Sequence, residues 1–196
     1  MNTRDWYRSV LSTKTVGIAG CGGLGSNCAA ALARAGIGRL IIADFDSVSE
    51  ANLDRQYFFR DQLGLAKAVA LKATIGRIDP AVKVEAHTVR LDPKNLLDLF
   101  AGCDVLIEAF DDAAQKAMLI EAILQDRPEL PLISSSGLAG WGRSNSIQVY
   151  HSQNLIMIGD LSSEVSETLP PTAGRVAIAA NMQANEAIAL LLGDKT

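Results

Sequence analysis

Short apolar runs alternate along this chain with longer stretches in which apolar residues return every three or four positions. Runs at 15–20, 39–44, 82–89, 104–109 and 131–135 read as strands, and segments 24–36, 64–78, 94–101 and 112–125 read as helices between them. Such alternation predicts an α/β fold, a Rossmann-like, mostly parallel sheet with helices on both faces. The first of these helices, LGSNCAAALARAG, has polar groups only at Ser26, Asn27 and Arg34, so burial on almost every side is expected. Gly36 and Gly38 follow it, where glycine accepts the left-handed conformation that closes a helix.

Past Gly137 the pattern changes. SIQVYH and NLIMIG read as two strands joined by a short turn at Ser152 and Gln153, an antiparallel hairpin that extends the sheet. Polar residues 160–174 read as a loop, and a closing helix spans 175–192. A loop of that length inside a compact domain is either a lid or binding segment or a disordered connector. The 196 residues suffice for one core, and a single domain over 1–196 is expected.

Composition narrows the function. Apolar residues make up 48% of the chain, yet no run nears the roughly 18 needed to span a bilayer, so no membrane role is expected. MNTRDWYRSVLSTKT lacks the apolar centre of a secretory signal, which points to the cytoplasm. A net charge of −4 without clustered Lys or Arg argues against a nucleic-acid face. Cys21, Cys28 and Cys103 are odd in number and scattered, and His87 and His151 stand apart, so neither a disulfide framework nor structural zinc is expected.

Gly20, Gly22 and Gly25 form G-x-G-x-x-G between a strand and a helix, with Gly23 inside the same bend. In that setting the first glycine makes the turn, the second admits a phosphate and the third allows close helix–strand packing. The helix start supplies free N–H groups for the anion. Asp44 ends the second strand 19 residues after Gly25, placed for ribose hydroxyls. The loop alone does not separate NAD from ATP. DFDSVSEANLDRQYFF and GLAKAVALK then bring Asn52, Arg55 and Lys67 towards one end of the nucleotide, which suits a triphosphate, although each is also an ordinary surface residue type.

At the end of the fourth strand, DVLIEAFDDAAQK groups Glu108, Asp111 and Asp112. Crevices of open α/β sheets lie outside the strands' carboxyl ends, so a carboxylate there can hold Mg²⁺ against phosphates, or it can cap the next helix. Asp112 reads as the cap and Asp111 as the residue at the phosphate end. Cys21 reads as a small packing residue rather than a nucleophile.

GCGGLGSN, DFDSVSEANLDRQ, GLAKA and EAFDD, in that order, resemble the ThiF/MoeB family, bacterial relatives of ubiquitin-activating enzymes. GRVAIAANMQANEAIALLLG is similar to that family's last helix, and the short chain with MIGD before a Pro-containing loop looks most like its compact ThiS adenylyltransferases of thiamine biosynthesis. The resemblance implies ATP-dependent adenylation of the C-terminal glycine of a small ubiquitin-like sulfur carrier, releasing pyrophosphate. It assigns the glycine loop and Asp44 to adenosine, Asn52, Arg55 and Lys67 to the phosphates, and Asp111 to Mg²⁺. It also implies a homodimer in which Arg4 or Arg8 enters the partner's site. The chain departs from many relatives in lacking two zinc-binding Cys pairs and any cysteine after 103, and in carrying Asp112 where the family has Asn. Three other readings stand beside it: a relative that activates a tRNA base or a peptide, a non-catalytic nucleotide-binding scaffold, and an NAD(P) oxidoreductase.

Overall fold

The computed structural model describes residues 3–193. Seven strands form one sheet: β1 (Thr15–Ala19), β2 (Arg39–Ala43), β3 (Lys83–His87), β4 (Val105–Glu108), β5 (Leu132–Ser135), β6 (Gln148–Ser152) and β7 (Leu155–Gly159). Their order is β3-β2-β1-β4-β5-β7-β6, with every pairing parallel except β6 with β7. The helices are α1 (Thr3–Leu11), α2 (Gly23–Ala35), α3 (Lys67–Ile78), α4 (Leu96–Leu99), α5 (Ala113–Asp126) and α6 (Ala173–Leu192). None of the described helices is long and apolar enough to cross a membrane.

The central strands are apolar at consecutive positions because both faces are covered. Val16, Ile18, Leu40, Ile42, Val105 and Ile107 point into a core shared with α2, α3 and α6. Ile41, Leu106 and Leu132 point the other way, into a second core with Leu96, Phe100, Leu119 and Ile123 from α4 and α5. Only the outer strands β3 and β6 expose much of their surface, as edges do. Of α2, only Arg34 is exposed, because the helix lies between the sheet and α6. Gly36 closes it at φ 93°.

The structure adds one element and moves others. Residues 3–11 form α1, an element not read from the sequence, with Leu11 wholly buried and Tyr7 packed against the core. α3 begins at Lys67 rather than 64, because the Lys67 N–H donates to the Asp46 carbonyl (2.8 Å) and holds residues 64–66 as a connector beside Ser47. In the hairpin, the second strand β7 inserts beside β5, leaving β6 at the edge, and the turn falls at Gln153 and Asn154. Gln153 takes φ 53°, which lets the chain reverse in two residues.

The loop 160–174 is pinned to the body. Pro171 bridges to Ala139 and Gly140, and Ser166 to Leu169. Its base is a buried ion pair between Asp160 Oδ2 and Arg175 Nη2 (2.8 Å), and Arg175 Nη1 also donates to the Gly142 carbonyl (3.0 Å). Burial works to raise the Asp160 carboxyl, but the N–H groups of Ser163 and Ser162, the Ser163 hydroxyl and Arg175 together hold it down at about 2.

Candidate active site

Strand order reverses between β1 and β4, and a crevice opens there at the carboxyl ends of the strands, as open α/β sheets require. Its volume is about 540 Å³, within the usual range for a small-molecule site. The glycine loop leaves β1 on one side, and the 109–112 bend leaves β4 on the other.

Close approach explains the glycines. Gly20 has φ 100°, and a Cβ there would sit 2.8 Å from the Ala109 carbonyl oxygen. At Gly25 a Cβ would sit 1.9 Å from the Gly20 carbonyl oxygen, so α2 meets its own loop only through a glycine. Gly23 faces Val176 of α6 at 2.8 Å by the same measure, whereas Gly22 meets nothing closer than 3.7 Å and leaves backbone open to the crevice.

Four helices begin at residues that line this crevice: α2 at Gly22 and Gly23, α3 at Lys67, α5 at Asp112 and Gln115, and α6 at Pro171 and Val176. The caps of α2, α3 and α6 lend no side chain to the helix N–H groups. Each such terminus carries partial positive charge and unpaired donors, so their convergence favours an anion. Two cations join them. Lys67 is 7% exposed, with Nζ 2.9 Å from Asp46 Oδ2, and Arg55 Nη1 donates to Asp54 Oδ1 (2.7 Å) and the Ala51 carbonyl (3.0 Å).

Phe45, Val89, Leu91 and Phe110 supply apolar lining, with the Arg90 guanidinium carbon 4.3 Å from the centroid of the Phe45 ring. Asp44 lines the same crevice. Its Oδ2 accepts the Cys21 N–H (2.7 Å) and its Oδ1 the Asp46 N–H (2.8 Å), so the carboxylate is held rigidly with lone pairs to spare. Burial raises its pKa, and the two N–H groups and Lys67 pull against that.

Asp112 and Asp111 divide the roles open to them. Asp112 Oδ1 accepts the Gln115 N–H (2.8 Å) as the cap of α5. Asp111 lines the crevice and has no bonding partner among the described residues. No group of three or more His, Cys, Asp or Glu is assembled for a metal among those residues. Magnesium does not need one, since it commonly binds through one or two carboxylates plus substrate phosphates, and an unengaged Asp111 beside an anion site fits that donor set.

A sequence profile of the ThiF family matches residues 4–196. The chain belongs to the ThiF family. It is 38% identical over 143 residues to the adenylyltransferase and sulfurtransferase MOCS3 of Sus scrofa, covering 72% of this chain and 30% of that protein. It is 44% identical over 97 residues to the ubiquitin-like modifier-activating enzyme 5 of Drosophila sechellia, covering 50% and 24% respectively. It thus spans about a third or less of the length of these curated relatives. In fold it is similar to the E. coli tRNA N6-threonylcarbamoyladenosine dehydratase TcdA in complex with ATP, with a TM-score of 0.86 at 24% identity over 96% of this chain and 90% of that one.

In this ThiF-family chain the crevice brings together Gly20, Gly22, Gly23, Asp44, Arg55, Lys67 and Asp111. Gly25 lies behind the loop, and Asn52 stands off the crevice wall, its Oδ1 accepting the Ser49 N–H (3.0 Å). Gln56, Phe45 and Arg90 are wall residues not singled out from the sequence. Gln56 follows Arg55 directly and its Oε1 is buried without a partner among the described residues. Arg8 is engaged at the far side of α2, with Nη2 3.2 Å from Asp79 Oδ2 and its guanidinium over Gly36. Cys21 and Cys28 are fully buried thiols pushed well above their usual pKa by desolvation, and Cys103 is pushed up to about 12 for the same reason first.

Proposed function

We propose that this chain binds ATP with Mg²⁺ and adenylates the C-terminal glycine carboxylate of a small ubiquitin-like sulfur carrier, a ThiS-like protein of thiamine biosynthesis. The observation that carries this reading is the convergence on one crevice of a glycine loop, three helix starts without a side-chain cap, two cations and a partnerless carboxylate. In this reading adenine takes the apolar lining, the ribose takes Asp44, and the triphosphate takes Arg55 and Lys67.

A carboxylate oxygen of the carrier attacks the α-phosphorus in line. The bond from that phosphorus to the bridging oxygen breaks, and pyrophosphate leaves with its electron pair, so acyl-AMP remains. No proton transfer and no covalent enzyme residue are needed, which leaves positioning and charge neutralisation as the work of the site. Arg55 and Lys67 are held by the exposed carboxylates of Asp54 and Asp46. The Arg55 pair is of the surface kind, worth at most about 1 kcal/mol, so a triphosphate readily displaces it, whereas Lys67 is buried and lines the crevice from beside Asp46. Magnesium, when bound, would add positive charge against the phosphates, and Asp111 would hold it.

The test is ATP:pyrophosphate exchange. Exchange that requires a ThiS-like carrier with its terminal glycine supports the reading; exchange driven instead by a transfer RNA, or none with any carrier, overturns it. The reading also makes the chain a homodimer, with Arg4, exposed on the first turn of α1, as the residue that enters the partner's site, because Arg8 packs over Gly36 at the end of α2 besides pairing with Asp79.

A further inference from the structure

Glu108, at the end of β4, takes no part in the chemistry above, yet it lies under the bend that carries Asp111. Its side chain is wholly buried. Three donors converge on it: the Phe110 N–H reaches Oε1 (2.7 Å), and the Lys116 ammonium and the Ser134 hydroxyl both reach Oε2. Its backbone carbonyl accepts Gln183 Nε2 at 3.2 Å. One residue therefore ties β4 to β5, α5 and α6.

The bond from Phe110 matters most. The carboxylate folds back over its own chain two residues on, which fixes the backbone from which Asp111 departs. The other side of the bend is equally constrained. The Ala109 N–H donates to the Ala19 carbonyl (2.8 Å), and the Ala109 carbonyl abuts Gly20 of the glycine loop. Packing alone does not account for a charge here, since well-packed apolar residues often replace a buried ion pair without loss of stability.

We propose that Glu108 is a positioning residue: its carboxylate holds the 109–111 bend so that Asp111 stands at the phosphate end of the crevice. The proposal rests on the reading of Asp111 given above. Glu108→Met keeps the side chain's length but removes the acceptor for the Phe110 N–H, and it leaves the Lys116 ammonium without its carboxylate. Glu108→Met/Lys116→Met removes that stranded charge and serves as the second variant should the first fail to fold.

Calorimetry on the full chain, with MgATP and with ATP in a chelator, tests it. MgATP affinity is expected to fall about tenfold or more in both variants, the range for removing a group that orients a metal ligand. Affinity for magnesium-free ATP is expected to stay within about twofold, and Glu108→Met to cost nothing further in an Asp111→Asn background. Unchanged MgATP binding by a folded variant, an equal loss for both forms of ATP, or losses that multiply with Asp111→Asn would each overturn it. If Asp111→Asn itself binds MgATP normally, the reading of Asp111 falls, and Glu108 with it. If Asp111→Asn weakens binding and the Glu108 variants do not, only the role of Glu108 falls.

Discussion

Asp111 and Asp112 are chemically identical neighbours in opposite circumstances: Asp112 caps a helix, while Asp111 lines the crevice with no bonding partner among the described residues. Their substitutions are expected to separate cleanly. Asp111→Asn should lower carrier-dependent pyrophosphate exchange by about 10² to 10³ with little change in melting temperature, as losing one preorganised electrostatic contact does. Asp112→Asn should leave exchange within about threefold, because Asn caps almost as well as Asp. The reverse ranking in the exchange assay would exchange the two roles. The cysteines give the complementary expectation. All three are buried with thiols raised by desolvation, so none offers a thiolate near neutral pH. A folded variant with Cys21, Cys28 and Cys103 all changed to Ala should keep its exchange activity, and loss of activity there would mean that a thiol takes part.

At the scale of elements, the site depends on how closely α2 meets its loop and on what anchors 160–174. Gly25→Ala places a methyl 1.9 Å from the Gly20 carbonyl oxygen, so loop and helix must separate. A loss of about 3 kcal/mol or more in denaturant unfolding is expected, together with loss of ATP binding. Asp160 carries a dependence on pH. Its folded pKa lies below the unfolded value of about 3.9, so its stabilisation is complete above that value and is lost as pH falls through about 2. Asp160→Asn leaves the buried Arg175 without its ion-pair partner and should cost about 3 kcal/mol near neutral pH, with the gap to the unchanged chain closing between about pH 4 and 2. Unfolding curves across that range check both the size and the sign.

For the whole molecule, the convergence of helix starts and cations on one crevice sets the expected ligand choice. Helix termini and cations favour a triphosphate, so calorimetry is expected to show ATP binding with magnesium and far weaker binding of NADH. Tight NADH binding without ATP binding would make the chain an oxidoreductase instead. Light scattering at micromolar concentration should show a dimer, and Arg4→Ala should reduce exchange while Arg8→Ala mainly lowers stability through loss of its pair with Asp79.

Local pattern alone determined a good deal. Continuous apolar runs at β1, β2, β4 and β5 require burial on both faces, and the spaced glycines after β1 require a tight strand–turn–helix, so a parallel sheet with a glycine loop followed from the order of residues. The family resemblance rested on the same segments, since motif order survives without coordinates. Other features depended on chain-distant neighbours. α1 is not legible in the sequence although Tyr7, Val10 and Leu11 lie on one helical face, because a nine-residue amphipathic helix is marginal until α6 gives that face something to pack against. The cap at Asp112 and the open place of Asp111 are legible locally, but that Glu108 is buried beneath them was decided where β1 and β4 meet, with Ala19, Gly20 and Ala109 touching across a separation of about ninety residues. Sequence proposes the residue types for the chemistry. Only tertiary contact buries Glu108 and gives it Lys116 and Ser134, because burial and partner choice are properties of neighbours that the linear order does not contain.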